Sequence, residues 1–157
     1  MFITQAFLKS RVQELGQKIY EDLGKMDLTF LSISPNSWEF AFDLSQSVVA
    51  KNLVLQVPQE PTAKWFLEHE MYWDNICVLV QDVSDTGETL QNHLILCRQF
   101  LNMDILTVTL LQKKSTIPQV YQPDYIGFSI PNEFVVGYGM GLRGKFNDLP
   151  HIAIYAP

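Results

Sequence analysis

The stretch NICVLVQDV, Asn75 to Val83, restricts the possible folds more than any other part of this chain. It is a continuous apolar run, rich in β-branched residues and too short for a buried helix, so it reads as a strand buried on both faces. A turn of small polar residues, SDTGET, follows at once. Leu90, Leu94, Cys97 and Leu101 then recur at three- and four-residue steps, the stripe of an amphipathic helix. The same alternation runs through the chain. Leu8, Val12, Leu15, Ile19 and Leu23 predict a helix over residues 5–24, followed by a strand in LTFLSIS, Leu28 to Ser34. After PNS a helical pattern resumes at Trp38, NLVLQV reads as a strand, and PQEPTAK, with two prolines, as a loop. DILTVTLLQK is a further strand. The segment STIPQVYQPDYIGFSIP, with three prolines, reads as irregular, and FVVGYGM and HIAIYA as short strands near the end. Strands alternating with helices predict an α/β fold: a mainly parallel sheet flanked by helices, in one domain over all 157 residues. In such sheets ligands sit beyond the carboxyl ends of the strands, which is where QDVSDTGET falls.

Composition narrows the function classes. The formal net charge of −6 argues against a nucleic-acid or anionic-membrane partner, although a local basic cluster could still hold a phosphate. No apolar run approaches the ~20 residues of a membrane span, and MFITQAFLKS lacks a signal-peptide pattern, so a cytoplasmic protein is expected. Cys77 and Cys97 lie in apolar segments without metal-ligand spacing and read as core residues of a reducing compartment. His69, His93 and His151 are scattered and offer no metal motif. WFLEHEMYWD reads as an amphipathic connector, with a subunit contact as the competing reading. GMGLRG follows no strand-to-helix turn and is poor as a dinucleotide fingerprint.

The turn itself carries chemistry. Small residues between a strand and a helix N-terminus expose backbone N–H groups to an anion, so Asp85, Thr86, Gly87, Glu88 and Thr89 can cradle a phosphate. Gly87 allows the tight backbone, and Thr86 and Thr89 add hydroxyl donors. Asp82 and Asp85 beside a phosphate make sense if they hold sugar hydroxyls, a divalent cation or a proton in transfer. Helix capping by Asp85, Thr86 or Thr89, with Asp82 a plain strand-end carboxylate, is the competing reading.

An apolar strand followed by acid-x-x-Asp-Thr-Gly-x-Thr resembles the phosphoribosyl pyrophosphate (PRPP) motif of the type I phosphoribosyltransferases. PDYIGFSIPNEFVVGYGMGLRGKFNDLPHIAIY, Pro123 to Tyr155, resembles the end of the hypoxanthine-guanine phosphoribosyltransferases. QAFLKSRVQELGQKIYEDL resembles their first helix, and LLQKK their purine-contacting strand end. The resemblance implies the type I phosphoribosyltransferase fold, with a small hood built from the chain ends. It also implies transfer of phosphoribosyl from PRPP to a 6-oxopurine such as hypoxanthine or guanine. Asp82 would then hold the ribose hydroxyls, directly or through magnesium, and residues 85–89 the 5′-phosphate. Asp85 would be the catalytic base sharing the purine N7 proton. Lys113 would donate to the exocyclic oxygen, Phe134 would stack on the ring, and the Val135 backbone would read the base edge. Magnesium is the implied cofactor, and a homodimer or homotetramer the implied assembly.

The departures from the family pattern gather on the pyrophosphate side. Gln81 stands where the first acid of the motif is usual, and Pro35-Asn36 where a basic-Gly loop grips pyrophosphate. Gly141 and Asn147 replace a tail Asp and a tail Arg, and the mobile flap shrinks to about Pro58 to Lys64 without its Ser-Tyr pair. Pyrophosphate needs cationic or metal stabilisation as it leaves, and losing one such donor costs on the order of 3 kcal/mol. Two readings therefore stand: a purine phosphoribosyltransferase, or a catalytically degenerate relative that binds nucleotides as a regulator.

Overall fold

The computed structural model describes residues 2–69, 76–114 and 117–156. Its centre is a five-stranded sheet, every neighbouring pair parallel, in the order β2-β1-β3-β4-β5. The strands are β1 (Leu28–Ser32), β2 (Asn52–Gln56), β3 (Ile76–Ser84), β4 (Asp104–Lys114) and β5 (Tyr125–Pro131). The helices are α1 (Gln5–Leu23), α2 (Trp38–Ser47), α3 (Ala63–Glu68) and α4 (Glu88–Phe100). Strand order runs outward from β1 in both directions. Right-handed crossovers then put the connecting helices on opposite faces.

The strand alternation builds two cores. Phe30, Val78 and Val80 point to one face and pack under α1 and α2 with Leu8, Leu15, Phe40 and Leu44. Leu31, Cys77 and Leu79, their chain neighbours, point to the other face and meet Phe66 of α3 and Leu90, Leu94 and Cys97 of α4. Side chains buried on both sheet faces explain why β1 and the first six residues of β3 are wholly buried. Both cysteines are buried thiols, Cys77 donating to Met103 Sδ at 3.2 Å, and desolvation pushes the Cys97 thiol up to about 12.

The segment read as irregular contains β5, pairing with β4 from Val108↔Tyr125 to Lys114↔Pro131. This corrects the sequence reading. The prolines at 118 and 123 precede the strand and Pro131 closes it, at the sheet edge where a missing N–H costs no ladder bond. Gly127 lies so close to the Leu110 carbonyl that a Cβ there would stand 2.5 Å from it. Arg11 of α1 covers part of the outer edge, donating from Nε to the Gly127 carbonyl at 2.7 Å and from Nη2 to that of Ile126 at 3.2 Å. Those carbonyls are thereby withheld from another strand.

The hood forms from the chain ends. β6 (Val135–Val136) and β7 (Ala153–Ile154) pair antiparallel, and Ile3 bridges to Ile152 beside them. The two expected tail strands are therefore two residues each, with tight turns between. The loop after β2 ends two residues earlier than expected, because Thr62 caps α3 by accepting from the Trp65 amide at 3.3 Å. The remainder of the WFLEHEMYWD connector, from position 70, lies outside the described residues. No helix among the described residues is long and apolar enough to cross a membrane.

Candidate active site

The direction of strand succession reverses between β1 and β3, and the carboxyl ends of these strands frame the site. β1 ends at Ser32, and residues Pro35–Ser37 make a single 3-10 turn. Ser34 caps that turn, its Oγ accepting from the Ser37 amide at 3.1 Å. The same hydroxyl donates to Asp82 Oδ1 at 3.2 Å. Burial raises the pKa of Asp82 above its ordinary value; the amides of Asp82 and Val83 and the Ser34 hydroxyl oppose that shift without cancelling it.

β3 leaves the sheet at Ser84, and residues 85–87 turn into α4. Gly87 caps this helix in the left-handed region, φ +84°. An added Cβ would stand 2.1 Å from the Tyr121 carbonyl, so only glycine fits this turn. The Thr86 carbonyl accepts from the Val120 amide at 2.9 Å, pinning the loop from the other side. The Thr86 hydroxyl accepts from the Glu88 amide at 3.4 Å. Glu88 and Thr89 are exposed in the first turn of α4, where amides point outward. The Glu88 carboxylate would repel an anion, so its amide is the group suited to one. Asp85 is half-buried, and its Oδ1 has no partner among the described residues. Its side chain does not cap α4, which removes the competing capping reading for Asp85.

The register Ser84↔Gln112 sets Lys113, half-buried near the end of β4, level with Asp85. Phe134 follows β5 by three residues, its ring 48% exposed and edge-on to Tyr155 at 6.0 Å between centroids. Phe134 is therefore not part of the core. Val135 is buried and its backbone runs beside Ile154. The expected site residues thus gather at the carboxyl edge of the sheet: Asp82 and Asp85 from β3 and its turn, Lys113 from β4, Phe134 and Val135 from the hood.

Three of the departures meet in space. An added Cβ at Gly139 would be 2.5 Å from the Asn36 carbonyl, and the Gly139 amide donates to the Asn147 carbonyl at 2.9 Å. A Cβ at Gly141 would lie 2.8 Å from the Lys145 carbonyl and 3.1 Å from Asn147 Cβ. The 3-10 turn and the tail thus close on each other through uncharged groups. Among the described residues no cluster of three His, Cys, Asp or Glu side chains could hold a metal. Gln81 is buried with its Oε1 unpartnered. A magnesium ion fits here only in the manner usual for this ion, on one or two carboxylates together with the oxygens of a phosphate ligand.

Sequence reasoning missed Ser34 and Gln112. The signal for Ser34 was the Ser-x-x-Ser spacing before the helical pattern at Trp38. For Gln112 it was a polar residue at the end of an apolar strand.

The phosphoribosyl transferase domain family matches residues 4–141 of the chain. The chain belongs to the phosphoribosyltransferases. It is a type I phosphoribosyltransferase, an enzyme of the glycosyltransferase class, close to the hypoxanthine-guanine members. The hypoxanthine-guanine phosphoribosyltransferase of Pan troglodytes is 25% identical, over 98% of this chain and 79% of that protein. A hypoxanthine-guanine phosphoribosyltransferase structure from Bacillus anthracis, with a HEPES molecule in its active site, superposes with TM-score 0.76 at 26% identity. It covers 98% of this phosphoribosyltransferase and 94% of that chain. The enzyme from Schistosoma mansoni, solved in complex with IMP, superposes with TM-score 0.75 at 24% identity, over 97% of this chain and 78% of that one, and so bears on the fold. These relations favour the transferase over the degenerate nucleotide-binding reading.

Proposed function

We propose that this phosphoribosyltransferase acts on a 6-oxopurine, hypoxanthine or guanine, forming the nucleoside monophosphate and pyrophosphate from PRPP. The reading is supported by Asp85 and Lys113 lying side by side at the ends of β3 and β4, with the exposed Phe134 three residues beyond β5. An exposed aromatic face suits any purine, whereas an ammonium donor favours a 6-oxo group over a 6-amino group. Val135 presents backbone to the base edge. The amides of residues 86–89 and the Thr86 and Thr89 hydroxyls hold the 5′-phosphate, and Asp82 holds the ribose hydroxyls. As the purine nitrogen bonds to C1′, the C1′–oxygen bond to pyrophosphate breaks and pyrophosphate leaves with the electron pair. The purine N7 proton passes to, or is shared with, the Asp85 carboxylate. Magnesium, when bound with PRPP, would supply charge neutralisation for the leaving group, and Asp82 is the carboxylate that would hold it.

We place the enzyme in the cytoplasm, as one phosphoribosyltransferase-like domain that assembles as a homodimer or homotetramer. Incubation with PRPP, magnesium and each of hypoxanthine, guanine and xanthine, followed by chromatography, tests the reaction. Product from the wild type and a loss of about 100-fold or more in Asp85→Asn are expected. Unchanged turnover in Asp85→Asn sinks the base assignment, and absence of any nucleotide sinks the reading. Sedimentation tests the assembly, and a single 18.0 kDa species overturns it.

A further inference from the structure

Resting on that reading, we propose that Gln112 is a positioning residue for the reaction: its side-chain amide sets the phosphate loop and, through the loop backbone, the Asp85 carboxylate. β3 ends at Ser84 while β4 runs on to Lys114, so the carbonyls of Ser84 and Asp85 leave the ladder just where the chain turns towards α4. Gln112 lies opposite Ser84 and is 5% exposed. Its Nε2 donates to the Asp85 carbonyl at 3.0 Å and to that of Ser84 at 3.2 Å. The Lys113 carbonyl is farther, at 3.4 Å. Two amide hydrogens serve the two nearer carbonyls, and the reversed amide would set its oxygen against them. The side chain thus replaces the strand neighbour that the loop loses on leaving the sheet.

This clamp acts at the first residue of the loop. Beyond it the loop is held by the Val120 amide on the Thr86 carbonyl and by the close fit of Gly87 under Tyr121. The Ser84 hydroxyl and Gln112 Oε1 are buried beside it without partners among the described residues, so in this structure the Asp85 carbonyl is held by the Gln112 amide. Releasing the Asp85 carbonyl frees the peptide that orients both the Asp85 side chain and the amides after it. Its loss therefore weakens PRPP binding and turnover, and leaves the purine contacts of Lys113 and Phe134 intact.

Gln112→Met keeps side-chain length and removes the donor. Hydrogen exchange of the residue 85–89 amides in unliganded protein reads the loop without reference to catalysis; steady-state kinetics read the reaction. In the variant we expect loop exchange and the KM for PRPP each to rise by roughly three- to tenfold, with a lower kcat and a hypoxanthine KM within about twofold of wild type. Unchanged exchange overturns the inference, and so does a loss felt equally in both KM values. A wild type that makes no nucleotide refutes the proposed reaction alone, since the exchange measurement still reads the clamp. Gln112→Glu provides a second test should the Met variant not fold. A protonated carboxyl can donate to a carbonyl and a carboxylate cannot, so loop protection relative to wild type should fall between about pH 5 and about pH 8. A flat ratio over that range overturns the clamp.

Discussion

Ser34 and Asp82 are joined across the sheet's switch point, the serine hydroxyl donating to the carboxylate at 3.2 Å. The two residues are far apart in sequence, one just beyond β1 and the other near the end of β3. Their bond ties together the two strand ends that frame the site. It also keeps an acid usable where burial works against its charge.

A raised folded-state pKa at Asp82 makes its ionisation a cost to folding. Below its ordinary value of 3.8 both folded and unfolded chains carry the proton, and the full stability is present. As pH rises through the higher folded value that contribution is lost. Asp82→Asn should therefore match the wild type in Tm in strong acid and exceed it at neutral pH. The same variant should bind PRPP less tightly, because an amide replaces the carboxylate on the ribose hydroxyls. Thermal melts across the acid range check the first expectation and PRPP titration the second; a variant less stable at neutral pH contradicts the sign.

Gly87→Ala places a methyl against the Tyr121 carbonyl in a backbone conformation unfavourable to alanine. About 2–4 kcal/mol of destabilisation is expected from strain and overpacking together. The KM for PRPP should rise while affinity for the free base holds. Denaturant unfolding and kinetics with each substrate varied provide the check.

Tyr138 fastens the hood to α2, its hydroxyl donating to Asp43 Oδ2 at 2.7 Å. Burial and the two acids, Asp43 and Glu39, push the phenol far above its ordinary value, so it remains a donor. Tyr138→Phe leaves the Asp43 carboxylate without this donor and should cost about 1–3 kcal/mol. Adding Asp43→Leu to it should cost less than the two single losses combined. An additive result would show that the two residues do not act together.

Restoring an acid at position 141 should not restore a metal ligand. A Cβ there meets the Lys145 carbonyl at 2.8 Å, so Gly141→Asp forces the tail turn apart, at about 1–3 kcal/mol. We expect a lower Tm and no gain in magnesium-dependent turnover. Higher turnover at unchanged stability would falsify the view that the tail backbone has closed over this corner.

Local order in the chain was sufficient for much of this. The buried strands, the helix stripes and the Asp82 to Thr89 turn are written in neighbouring residues, because burial follows the two- and 3.6-residue periods and turns need particular residue types. β5 escaped that reading because the prolines around it obscure a strand that the edge of the sheet tolerates. Sequence by itself determined the α/β fold and placed the Asp82 to Thr89 turn at a strand's carboxyl end, and it proposed which groups would meet a phosphate and a purine. Only the tertiary structure decided that Ser34 reaches Asp82, that Gln112 holds the Asp85 carbonyl, and that Asn36, Gly139 and Asn147 close one uncharged corner. Most of those contacts join residues tens of positions apart, and no local period records a partner that the parallel crossovers bring alongside only when the sheet is complete.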